Sequence, residues 1–253
     1  MFRKEISQLL YMFKPKSLSW TSNCTSIQVF NATIEESGSA ISNQIEVILD
    51  IFRNGLSLNI PEVRIKLFCI LEEVLAKSET TVNSNKRFHP FILPVAADLI
   101  QPALVWHTGL SERRIRSSAA ACLFYLARMA EQVPDLTGQL ARQVWHQVLG
   151  LIEDEEEHVR FWICKTAALL VKHLENDVVS KSTKYLVDRL GDSKKFVRVE
   201  AFKTLKIICG MDIGEAQTLK LQETLLKKEG ELGMDMQYEH SFKETHNIPG
   251  FVS

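Results

Sequence analysis

The sequence predicts an all-α fold, a solenoid of about four to five stacked helix pairs with irregular ends. Three observations carry that prediction. A short word, β-branched apolar residue then arginine, occurs at Val63-Arg64, Ile115-Arg116, Val159-Arg160 and Val197-Arg198. Its arginines recur 52, 44 and 38 residues apart (64 to 116, 116 to 160, 160 to 198), which brackets the period of two-helix HEAT and armadillo repeats. Aligned on the arginine, the columns at offsets −1, 3, 4, 7 and 10 are apolar in all four repeats, from Val63, Leu67, Phe68, Leu71 and Val74 to Val197, Ala201, Phe202, Leu205 and Ile208. Those offsets share one face of an α-helix.

Residues 1–40 lack the word and mix Ser, Thr and Asn with isolated apolar residues. They read either as a degenerate repeat, helical near Lys4 to Phe13, or as a poorly ordered leader. The solenoid proper spans 41–210. Ile45 to Leu56 is the first helix of the first complete pair, and Asn59-Ile60-Pro61-Glu62 is the turn into its second, with Pro61 suited to a first helical turn. The Thr/Asn/Ser-rich stretch Ser78 to Pro90 absorbs the long first spacing. Next comes Phe91 to Trp106, where Pro94 and Pro102 should break or kink the helix. Ser111 to Arg114 then turns into the helix headed by Ile115. Leu140 to Ile152 and Lys184 to Leu190 are the remaining first helices, each followed by a polar turn, Asp154 to Glu157 and Asp192 to Lys195, that can cap the helix after it. Residues 211–228 hold enough leucine for one more helix, whereas 229–253 show no apolar period and predict disorder.

Bulk properties narrow the function. With 30 basic and 31 acidic residues the net charge is −1, which gives the chain no overall attraction for nucleic acid or an anionic membrane. Charged residues interrupt every apolar run before it reaches spanning length. The start, MFRKEISQLLYMF, offers too short an apolar core and no small-residue cleavage site for a secretory signal. These readings point to the cytoplasm. The five cysteines form no CxxC, and four fall in second helices, where a free thiol serves as a small buried hydrophobe. No HExxH, GxSxG, P-loop or GxGxxG after a strand occurs, so the expectation is a non-enzyme with no catalytic residue, metal, cofactor or small-molecule substrate.

Two sets of residues stand out. Asp154 and Asp192 each precede a repeat arginine by six residues. Arg64, Arg116, Arg160 and Arg198 with Asp154 and Asp192 can form a ladder, the arginine of one repeat bonding the turn carboxylate of the next; the other reading is that these arginines contact a ligand. The second set starts from the column two after the arginine, Lys66, Ser118, Trp162 and Glu200, in which Trp162 alone is apolar. Trp162 is either an interface anchor, flanked by Lys165 and Lys203 and sharing its column with Lys66, or a ring laid over the adjacent repeat. The acidic run Glu153 to Glu157 reads as a solvated capping turn or as a docking point for a basic segment.

Leu104-Val105-Trp106-His107, Ile115 to Leu123 and LVDRLGDSKKFVRVEAF (186–202) together resemble the C-terminal repeats of the HEAT-repeat dynein axonemal assembly factor 5 family. The likeness covers about residues 44–210 and is carried by framework positions. It implies a non-enzymatic cytoplasmic scaffold for preassembly of outer and inner dynein arms, binding dynein intermediate chain, chaperones and other assembly factors. As members of that family are longer, it also suggests a fragment of a longer array. The alternative is a general HEAT scaffold, such as a phosphatase- or transport-type adaptor.

Overall fold

The computed structural model describes residues 2–37, 43–80 and 86–236. They fold as helices and connecting turns, with no strand among them. The chain divides into two compact units, residues 1–173 and 174–253.

The first unit opens with a helix pair that carries no repeat word, α1 (Phe2–Lys16) and α2 (Thr25–Ser37). Aromatic packing does the work here: the buried Phe30 ring lies 5.6 Å from Phe13, 5.6 Å from Trp20 and 5.7 Å from Phe52. Residues 38–40 of the expected leader lie outside the described residues. The second pair is α3 (Ile45–Leu56) and α4 (Pro61–Thr80), with Pro61 opening its helix as expected.

The third pair begins with α5, a composite of Ile92–Val95, a π-turn at Ala96–Ile100 and Gln101–Ala103. Pro102 has no N–H to donate to the carbonyl four residues back and its ring crowds that turn, so the helix widens just before it and stops at Ala103, short of the expected Trp106. Side-chain amides of the next pair add bonds to carbonyls of this helix, Gln143 donating to Leu93 O at 3.4 Å and Gln147 to Gln101 O at 2.9 Å. Gly109, at φ 113°, makes the turn into α6 (Leu110–Ala130). The fourth pair is α7 (Pro134–Leu151) and α8 (Glu157–Leu170). α7 starts six residues before Leu140 because Pro134 occupies a first-turn position and the polar Asp135 to Gly138 stretch continues a helix its own pattern hides.

First helices pack in one row, α1 on α3, α3 on α5, α5 on α7. Second helices pack in another, α2 on α4, α4 on α6, α6 on α8. Two such rows are the arrangement of an α-solenoid. The second row is the tighter, since Ala119, Ala120 and Ala121 of α6 let the neighbouring helices approach closely. Cys122 Sγ lies 3.9 Å from Phe68 O of α4.

The second unit contains α9 (Asn176–Asp188), α10 (Lys195–Cys209) and α11 (Glu215–Met236). α9 starts well before the expected Lys184, on a polar turn of Asn176 and Asp177. α10 packs on both α9 and α11, and Gln217 of α11 bonds Ser180 O at 2.8 Å. Residues 229–236, expected outside any element, continue α11, where Glu229 pairs with Lys206 at 3.0 Å. The rest of the expected disordered tail, 237–253, lies outside the described residues.

All twenty residues in the five apolar columns are buried, none more than 2% exposed. Among the second-helix cysteines, Cys122 and Cys164 are buried as expected, whereas Cys69 is exposed and Cys209 half-buried.

Candidate partner surface

The repeat arginines lie near the starts of the second helices, beside the turns that join the two helices of a pair. Arg116 is 0% exposed and forks onto Asp154, whose side chain is 2% exposed: Nε reaches Oδ2 at 3.0 Å and Nη2 reaches Oδ1 at 3.3 Å. Its third branch donates to His107 O at 2.8 Å, tying down the α5–α6 loop. Asp154 Oδ1 also accepts the Glu156 N–H at 2.9 Å, the bond that closes the turn before α8. Beside this pair Arg113 grips Glu155 with two bonds, 2.8 and 3.0 Å. One pair earlier, Arg64 reaches Glu112 at 3.5 Å. In each case the arginine lies near the start of one second helix, and the carboxylate lies in the turn before the next second helix or, for Glu112, in that helix's first turn.

Arg160 and Arg198 show a further bond that the spacing alone does not suggest. Each donates to main-chain carbonyls of its own turn, Arg160 to Asp154 O at 2.8 Å and Glu155 O at 3.1 Å, Arg198 to Asp192 O at 2.9 Å and Ser193 O at 3.3 Å. Asp192 repeats the role of Asp154, accepting the Lys194 N–H at 2.9 Å.

Trp162 is half-buried over α6, with its ring 5.3 Å from Phe124, 6.0 Å from Tyr125 and 5.1 Å from Phe161. Lys165, one turn on, holds its Nζ 4.6 to 5.1 Å from the Phe124, Trp162 and Phe161 rings, within cation–π range. Trp162 and Lys165 come together; Lys66 donates to Ser22 O at 2.8 Å, and Lys203 pairs with Glu200 at 3.0 Å in the second unit.

Glu72 of α4 lies between the contacts of Phe68 O with Cys122 and of Glu79 with Arg128, beside the α6 part of this strip. It is half-buried, and no cation or hydrogen-bond donor meets its carboxylate among the described residues. Loss of water alone pushes its carboxyl up to about 7. Burial raises Cys122 and Tyr125 on α6, and the Glu72 charge adds to the rise in both. Phe124, Tyr125 and Glu72 were all missed by the column that singled out Trp162. They stand eight or nine residues after their arginines, where α8 has Ala168 and Leu169, so extending the same register comparison could have found them.

Two other features lie apart from the strip. Val105, Trp106 and Leu110 around the α5–α6 loop are 49%, 56% and 76% exposed. In the turn before α8, potential ligand atoms of Glu156, Glu157 and His158 fall within 4.8 Å of one another, two half-buried and one exposed.

Paired rows of helices, registered at their turns by arginine–carboxylate bonds and bearing a half-exposed aromatic strip, define an α-solenoid whose distinctive feature is surface. No family model matches the chain. Among curated proteins it is similar to dynein axonemal assembly factor 5 of Homo sapiens, 28% identical over 214 residues. The proteins of that name from Xenopus laevis and Mus musculus are 28% and 25% identical over 210 residues. Each match takes in 81% of this chain and 25% of the relative, so the chain spans about a quarter of the length of the curated relatives it matches.

Proposed function

We propose that this chain acts in the assembly of axonemal dyneins, as a non-enzymatic scaffold working in the cytoplasm. The observation that carries this reading is the similarity to dynein axonemal assembly factor 5 over 81% of the chain. The fold supports it, since two rows of helices offer long faces to other proteins. Dynein intermediate chain, other assembly factors and chaperones are the proposed partners. The strip centred on Trp162 and Lys165 is the proposed contact surface, while the arginines and Asp154 and Asp192 register the turns.

Co-precipitation of the tagged chain from ciliating cells tests the reading. Dynein intermediate chain or a known assembly factor is the expected catch, reduced several-fold by Trp162→Ala at unchanged chain level. Recovery of phosphatase or transport subunits in their place would overturn it in favour of a general scaffold.

A further inference from the structure

A half-buried carboxylate without a partner is a standing cost to the free chain, because its charged form has lost water and gained nothing in return. Nearby cations of known bonding are engaged elsewhere: Lys77 with Glu73 at 2.6 Å, Lys66 with Ser22 O, Arg128 with Glu79 and Glu131, Arg64 with Glu112. The elevated pKa of Glu72 agrees with a desolvated site. Helix α4 runs along α6, with Phe68 O 3.9 Å from Cys122 Sγ and Glu79 3.1 Å from Arg128, which brackets Glu72 beside Tyr125, and the Tyr125 ring lies 6.0 Å from Trp162. An unsatisfied negative charge therefore adjoins half-exposed aromatic rings.

That combination selects its ligand by sign and by shape. Phosphates of nucleic acid or of an anionic membrane are repelled by Glu72, whereas a lysine or arginine is drawn to the carboxylate; Lys165 already lies over the Phe124 and Trp162 rings, so the ring surface is left for an apolar or aromatic side chain rather than a second cation. We propose that Glu72, Tyr125, Phe124 and Trp162 form one recognition site for a protein segment that presents a lysine or arginine to Glu72 and rests an apolar or aromatic side chain on the rings. This deepens the reading of the Trp162 strip as a partner surface, and it holds whether or not that partner belongs to dynein assembly.

The test uses the full chain and a phage-displayed library of random peptides, so it does not depend on the outcome of co-precipitation from ciliating cells. Panning should enrich peptides with a Lys or Arg beside an aromatic or branched aliphatic residue. A synthetic peptide of that sequence should bind Glu72→Gln at least about tenfold more weakly than wild type, the scale on which removal of one partner of a desolvated charge pair acts. Glu72→Lys should recover affinity for the peptide whose cation is changed to glutamate. Glu72→Gln should melt at or above the wild-type temperature, which separates recognition from a structural role. Absence of enrichment, enrichment without a cation, or equal affinity for Glu72→Gln would each overturn the proposal. So would sedimentation showing a wild-type dimer that Glu72→Gln dissociates, since a second copy would then be the occupant.

Discussion

Arg116→Ala removes the guanidinium that joins α6 to the turn before α8. Asp154, its side chain 2% exposed, keeps only the Glu156 N–H, and His107 O loses its donor. Deleting one partner of a buried pair costs about 3–5 kcal/mol, because the remaining charge stays out of water. With a loss of about 4 kcal/mol and about 2–4 °C of melting temperature per kcal/mol at this chain size, the midpoint should fall by roughly 8–16 °C. A thermal melt followed by far-UV circular dichroism reads the change. The control is Arg116→Met with Asp154→Leu, which removes both charges and should recover most of the loss. An Arg116→Ala midpoint within about 2 °C of wild type would refute the reasoning, since a buried ion pair at a packed turn cannot be dispensable on these grounds.

Arg160→Ala forfeits two charge-assisted bonds to its own turn and should cost about 1.5–3 kcal/mol, lowering the melting point before it affects partner recovery. Gly55→Ala would place a Cβ 2.5 Å from Leu67 Cδ1 and 3.1 Å from the Trp20 ring; the resulting overpacking should outweigh the gain in helix propensity and destabilise by about 1–2 kcal/mol in urea unfolding. Glu72 should make stability fall with rising pH. Its folded carboxyl, at about 7, holds a proton more tightly than an ordinary glutamate at 4.5, so no penalty exists below that interval and the full penalty exists above it. At ~1.4 kcal/mol per pH unit, wild type should lose up to about 3 kcal/mol relative to Glu72→Gln between those limits. Parallel stability curves for the two proteins across that range would contradict the assignment.

The apolar columns determined the helical fold from sequence alone, because a five-position stripe repeated in register leaves each second helix one way to face its neighbours. Regular helices such as α3 were legible to the residue. Those that open on polar turns, α7 and α9, were not, since their first residues belong to no stripe. The aspartate-to-arginine spacing likewise pointed to the turns, yet only folding showed that Arg116 bonds across to the next turn while Arg160 and Arg198 also bind carbonyls of their own. Trp162 illustrates the same limit. Sequence marked it as a break in pattern, but whether a helix-surface ring meets solvent or a neighbour depends on the helix beside it, and α6 brings up Phe124 and Tyr125. The periodicity of one helix determines which residues lie on each face. Desolvation is set by the atoms of another helix, so it was the packing of α4 on α6 that left Glu72 half-buried beside those rings.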